Sequence, residues 1–398
     1  MAVVELSAWL FSLTGWIWLQ PIYNPHSGYG TGLPYLTASS AGLGMGRLSL
    51  VGINVGLPDQ PAHSAHLTAM QLDFGGYART SRLTTVRRSG RFGTGGVHNL
   101  QLSFARGKGW GFAAGIVPQA LQGYTGSQRI STPTSLQYTE KAEGIFTLAY
   151  MEGALRWRKL AFGYRLGYLQ GLYERQRDLL PPAQPLPDQL FTLVRLQGLQ
   201  HRIGLLWQDS LSSLRYQVSI STSLSTALSR EVTYVFQKNF SYTSFITDTL
   251  YANSGHWRQG MHIRGGILIA QNRWKIGAEG GYAAISSPWD TPGLPPTNPR
   301  SSWDGRLGAE FIPDPRSPAF YKRMLYQVGA WTARPPFAET QLYGATIGLG
   351  WQFPRSPNLV FLAVERGWLP HPLIQETYWQ VAIGAVFREL WFIPPRLD

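Results

Sequence analysis

From residue 68 onward the chain alternates. In "TAMQLDFGGY" Met70, Leu72 and Phe74 alternate with Gln71 and Asp73, and in "NLQLSFARG" Leu100, Leu102 and Phe104 alternate with Asn99, Gln101 and Ser103. Phe162, Tyr164, Leu166 and Tyr168 oppose Gly163, Arg165 and Gly167; Tyr216, Val218 and Ile220 oppose Arg215, Gln217, Ser219 and Ser221. Near the C-terminus, "TYWQVAIGAVFRELWF" sets Trp379, Val381, Ile383, Ala385 and Phe387 against Gln380, Gly384 and Arg388. A period of two marks β-strands with two unlike faces. Leu359 to Val364 is apolar throughout, so the pattern assigns it no side.

What fills the second face separates two all-β architectures. A soluble sandwich turns large apolar residues inward and charges outward. Here the non-apolar face is Gly, Ser, Gln and Arg with few Lys or Glu, the pattern of a membrane barrel with lipid outside and small or polar groups in the lumen. Trp110, Trp157, Trp207, Trp274, Trp331, Trp351 and Trp379 fall near strand ends, where interfacial aromatic girdles lie.

About fourteen to sixteen strand-like segments follow residue 68, and single-chain bacterial barrels carry even numbers. The expectation is an all-β transmembrane antiparallel β-barrel of about fourteen strands over 68–398, closed by its last strand because lipid satisfies no backbone amide. "LLPPAQPLPDQ" and "SSPWDTPGLPPTNPRSS" read as long external connections, "IAQNRWK" and "WQFPRSPN" as short turns at the other end. "FSYTSFITDTLYANSGHW" at 240–257 reads as an extended loop with an aromatic patch, and Gly75-Gly76 as a place where the wall bends.

Residues 1–20 include an apolar stretch, "LSAWLFSLTGWIWLQ", of signal-peptide length and too short for a spanning helix. Residues 21–67 lack a sustained period and are rich in Gly, Pro and Ser, yet less polar than a free linker. They read as a hatch or plug packed inside the barrel.

Composition sharpens this. Charged residues are 14% of the chain against roughly a quarter in a soluble domain, and aromatics are 13%. There is no cysteine, which excludes disulfides, thiolate zinc sites and cysteine nucleophiles. The net charge of +13 is scattered through the strands, so no nucleic-acid partner is expected.

With these features in place, the chain resembles the FadL-like outer-membrane barrels. "YNPHSGYGTG" is similar to a Y-S-x-Y-G-x-G opening of many members, and "INVGLPDQPAHSAHL" is a loosened Asn-Pro-Ala hatch motif with Asn54 apart from Pro61 and Ala62. The final strand, with Trp379, Phe387 and Phe392, resembles the signal read by outer-membrane assembly machinery. The resemblance implies a bacterial outer-membrane location and passive uptake of hydrophobic or amphipathic, fatty-acid-like molecules. Relatives of the PorV type serve in protein secretion, so an accessory or scaffold barrel of a secretion or assembly complex is the other implied role. The expected partners are outer-membrane lipid, the assembly machinery and either a hydrophobic small molecule or a secretion-complex protein.

No enzyme, cofactor or metal is expected. His63/His66 and His256/His262 lack the glutamate of an H-E-x-x-H frame, "GRFGTGG" at 90–96 lacks the end of a phosphate loop and reads as a glycine-rich turn, and no Gly-x-Ser-x-Gly occurs. Asp304, Arg306 and Glu310 share one face, as do Lys275 and Glu279, which suits lumenal ion pairs. Arg165, Arg202, Arg215, His262, Arg264, Lys275 and Arg306 either bind a ligand carboxylate or fill and stiffen the lumen.

Overall fold

The computed structural model describes residues 33–34, 37–53, 55–85, 89–105, 109–130, 136–180, 186–239, 245–285, 300–334, 341–353, 356–370 and 374–389. Fourteen antiparallel strands form one closed sheet. In chain order they are β1 (Met70–Thr85), β2 (Ser89–Ala105), β3 (Trp110–Ile130), β4 (Leu136–Trp157), β5 (Leu160–Leu180) and β6 (Asp188–Leu211). Strand β7 has two parts, Leu214–Ser223 and Thr226–Asn239, as does β8, Phe245–Gln259 and His262–Gln271. Then come β9 (Trp274–Ile285), β10 (Arg300–Phe311), β11 (Leu325–Arg334), β12 (Leu342–Gln352), β13 (Leu359–Leu369) and β14 (Ile374–Glu389). Strand β14 pairs with β1 from Ile374↔Thr85 to Glu389↔Met70, so the terminal alternating segment closes the cylinder.

The alternation fixes the faces. Phe162, Tyr164, Ile263, Ile267, Trp379, Val381, Ile383 and Phe387 are exposed on the outer wall, while Arg165, Gln217, Ser219, Arg264, Glu279 and Gln380 are buried inside. Ala385 departs from the expected exposure: it pairs with Phe74, which stacks on Phe387, and the two rings cover its methyl. On β13 the inward residues are Leu359, Phe361 and Ala363. Trp331 is no girdle residue; it turns inward and packs with Leu369, Tyr378 and the Arg47 guanidinium.

Two-residue turns at 158–159, 212–213 and 272–273 close hairpins at one end, each with its first residue at positive φ. The wall is uneven in height. Strands β9 to β13 have 10 to 12 residues, near the roughly 9–11 that span a bilayer, whereas β3 to β6 have 21 to 24. One side therefore stands about ten residues taller, on the order of 30 Å before tilt.

The tall side corrects several expectations. Leu214–Ser223 and Thr226–Asn239 belong to a single strand, β7, and residues 245–257 of the expected aromatic loop are strand, paired with β7. Period two fades there because polar residues stand on both faces of wall that rises beyond the lipid-facing band. Residues 90–96 lie in strand β2, with glycines where the Tyr77 ring and backbone come close, so they form no turn. The lumen is not uniformly small and polar: Val117, Phe146, Leu148, Leu169, Tyr173, Val194, Leu196, Leu228 and Trp257 form a buried apolar cluster on the inner face of the tall side. Its inward glycines, Gly144, Gly167, Gly171 and Gly198, leave room for these large neighbours. Strand β11 begins at Leu325, after a 3-10 turn at Phe320–Arg323. The Pro-rich connection between β9 and β10 lies outside the described residues, apart from its final strand residues.

The ladder between β2 and β3 is short. It runs from Ala105↔Gly111 to Leu100↔Ile116 and stops, although both strands continue. Beyond this point β3 shifts register against β4 between Pro118 and Ala120, and its other edge pairs with Leu33–Pro34. A second shift, at Gly75/Gly76 between β1 and β2, accommodates one extra residue, His98.

Candidate functional site: the occupied lumen

The described residues of 37–67 lie inside the barrel and are almost all buried. Their path is laid on inward-facing glycines. A Cβ on Gly163 would collide with the Ala62 backbone, one on Gly308 with Met45, and one on Gly329 with Gly46. Gly111, Gly204 and Gly348 meet Ser64, Gln60 and Gly44 in the same way. Gly204 makes room for the Gln60 and Pro61 side chains, and each of the others lets two backbones approach more closely than any side chain would permit.

Charge then fixes the segment. Between residues 21 and 67 the charged residues are Arg47 and Asp59, and each has buried partners on the wall. Asp59 accepts from Arg202 Nη1 at 2.6 Å, from Arg264, and from the hydroxyls of Thr37 and Ser49 at 2.6 Å each. Burial alone would raise its pKa, but Arg264, Arg202 and Arg306, together with the Ser49 bond, outweigh burial and hold the carboxyl well below the usual range. Arg47 forms a bidentate pair with Glu365, Nε at 2.5 Å and Nη2 at 2.9 Å, while Tyr378 donates to the same carboxylate at 2.6 Å. Glu279 Oε1 accepts three consecutive backbone N–H groups, Ser49, Leu50 and Val51, at 2.9, 2.7 and 3.0 Å. Arg306 Nη1 donates to the carbonyls of Thr37 and Arg47 at 2.7 and 2.5 Å and to the Ser49 hydroxyl at 3.0 Å. Arg165 joins Glu152 to the Pro58 carbonyl.

The 3-10 turn Pro61–His66 carries the histidine pair. Burial, with His66 beside it, pushes the His63 pKa down to about 3, and burial brings His66 to about 4, so both rings are neutral at neutral pH. Among the described residues no group of three His, Cys, Asp or Glu converges on one point.

Below the segment, toward the short turns, a cavity of roughly 270 Å³ remains. Its apolar lining includes Met45, Leu48 and Val51 of the segment and Leu268, Leu325 and Phe361 of the wall; Arg215, Lys275, Arg323, Arg388 and Glu310 add charge. Lys275 pairs with Glu310 at 2.5 Å.

Of the lumenal cations anticipated from sequence, Arg165, Arg202, Arg264 and Arg306 converge on the N-terminal segment. Arg215 and Lys275 line the cavity, and His262 stands opposite Ser223 on the inner wall. Pro61 and Ala62 pack on Gly204 and Gly163; Asn54 lies outside the described residues. Gly75 and Gly76 sit at the β1–β2 register shift, Trp379 and Phe387 face outward, and Phe392 lies outside the described residues. Sequence reasoning overlooked Arg47, Asp59, Glu152 and Glu365, and it placed Glu279 in the lumen without its contacts to the N-terminal segment. The lone acid and lone base of residues 21–67 were the available signal, since isolated charges in so apolar a stretch require partners.

A family model, BamG, matches residues 10–398. No curated protein sequence matches the chain. Among solved structures, a FadL homologue from Pseudomonas aeruginosa is similar at 11% identity and a TM-score of 0.66, covering 90% of this chain and 99% of its own. The Pseudomonas putida toluene transporter TodX is similar at 14% identity and a TM-score of 0.60, covering 88% and 98%. The Ralstonia pickettii toluene transporter TbuX is similar at 12% identity and a TM-score of 0.59, covering 89% and 99%. At these identities the likeness shows the fold, a FadL-like barrel, whereas the sequence match spans nearly the whole chain: the chain belongs to the BamG family.

Proposed function

We propose that this chain is an accessory barrel of outer-membrane protein assembly and that its lumen does not conduct solutes. The carrying observation is the way residues 37–67 are bound into the barrel by buried charges, with Asp59, Arg47, Glu279 and Arg306 each making several contacts. Pulling the segment out would strip partners from these charges, and removing one partner of a buried pair costs about 3–5 kcal/mol. In this reading the segment is a permanent hatch that stiffens the cylinder. The family name supports a link to assembly machinery. The short turns face the periplasm and the tall wall faces outward, following the loop asymmetry of outer-membrane barrels.

The interrupted β2–β3 ladder favours a second reading, sideways passage of an apolar molecule through the wall above Leu100 and Ile116. One reconstitution experiment separates the two. The full chain in liposomes is expected to pass neither small sugars nor toluene faster than empty liposomes, and its depletion from cells is expected to lower the level of other folded outer-membrane barrels. Flux of toluene above background with unchanged barrel levels would overturn the accessory reading.

A further inference from the structure

The outer wall over β13, β14, β1 and β2 carries a charge arrangement that the lumen does not use. Cross-strand register builds it in rows. Val364, Val381 and Ala78 lie side by side, and Leu362, Ile383 and Gly76 form the next row toward the short turns, so this level is lipid-facing and apolar. One row toward the long connections come Arg366, Trp379 and Thr80, and beyond it Trp368, Thr377, Arg82 and Arg91. Arg366, Arg82 and Arg91 are all exposed. The Arg366 guanidinium lies 5.1 Å from each of the Trp368 and Trp379 rings, at the level where a barrel carries its aromatic girdle.

Arg82 and Arg91 are directly opposite one another. Like charges in that position have Cβ atoms about 5 Å apart and destabilise the pairing. Among the described residues none of the three arginines has an ion-pair partner. The acids nearest in sequence on β13 and β14, Glu365 and Glu376, point into the lumen and are held by Arg47 and Arg79. Three cations gathered without a carboxylate, at the upper edge of an apolar band, lack an anion that the membrane itself supplies.

We propose that Arg82, Arg91 and Arg366 form a binding site for the phosphorylated headgroup of a membrane lipid, with the acyl chains lying along Val381, Ile383 and Leu362. Guanidinium groups match phosphate oxygens bidentately. Arg366 and Arg82 are two strands and one row apart, about 12 Å, so the two long arms can reach around one headgroup. A lipid is the fitting source because the site is continuous with hydrocarbon-facing wall. This site is independent of whether the barrel conducts.

The test uses the full chain, delipidated and placed in micelles doped with lipid A or with its enzymatically dephosphorylated form, with bound lipid counted by native mass spectrometry. The wild type is expected to retain lipid A and to lose it when the phosphates are removed. The triple variant R82Q/R91Q/R366Q is expected to lower retention about a hundred-fold, at about ten-fold or less per arginine. R273Q, an exposed arginine in the opposite short turn, is expected to leave retention unchanged. Unheated gel mobility reports folding, and R82Q and R91Q singly provide the comparison should the triple variant not fold. Undiminished retention in the triple or single variants, an equal loss in R273Q, or displacement by excess inorganic phosphate would each overturn the assignment.

Discussion

At the scale of single residues, function and stability meet at Asp59. Three guanidiniums, from Arg202, Arg264 and Arg306, surround one carboxylate that belongs to the N-terminal segment, while Thr37 and Ser49 supply hydroxyls. Asp59→Asn keeps the shape and removes the charge, leaving buried cations without their counter-ion. The expected loss is about 3–5 kcal/mol, read as a lower denaturant midpoint in micelles. Protease cleavage within residues 37–67 is expected to appear before the barrel unfolds. The position was legible in sequence as the lone acid of a long apolar stretch. Its partners were not, because Arg202, Arg264 and Arg306 lie on three different strands and are brought to one point only when the sheet closes.

At the scale of elements, the described part of the N-terminal segment has two short 3-10 turns as its regular structure, and its backbone bonds partly to itself and partly to the wall. That makes it sensitive to acid. The His63 pKa falls from 6.5 in an unfolded chain to about 3 when buried, so the unfolded state binds more protons and stability falls as pH drops below 6.5, by up to about 1.4 kcal/mol per unit. Asp59 acts in the same direction lower down: its folded pKa is depressed, so its contribution is present above the ordinary carboxylate range and is lost as pH falls through the depressed value. Amide hydrogen exchange of residues 37–67 is therefore expected to accelerate from pH 6.5 to pH 4 more than that of β9 to β13. Equal acceleration in both would rule out a local cause. The strands themselves were readable where one face met lipid. They were misread at 90–96 and 245–257, where small and polar residues stand on both faces and no continuous apolar stripe marks the period.

At the scale of the whole molecule, the barrel carries an apolar band on its outer wall, an apolar cluster inside its tall side, and a charged core at its centre. Ile383 lies in the middle of the outer band, exposed between Leu362 and Gly76. Ile383→Arg is expected to destabilise by about 2–4 kcal/mol, the cost of a cation on the lipid face near the midplane. Folding yield into bilayers, followed by gel mobility, checks this, and an unchanged yield would argue that this face does not contact lipid.

The alternation of side chains determined, without further information, that the chain closes into a membrane barrel of about fourteen strands, which residues face outward where the period holds, and that the last strand seals the first. These are local consequences of a two-residue period and of the need to satisfy every backbone amide in hydrocarbon. Only tertiary structure decided which buried charges meet, that inward glycines cradle residues 37–67, and that the β2–β3 ladder breaks off above Leu100. These depend on register around a closed sheet, which places residues hundreds of positions apart within hydrogen-bonding distance, and no short stretch of sequence encodes that register.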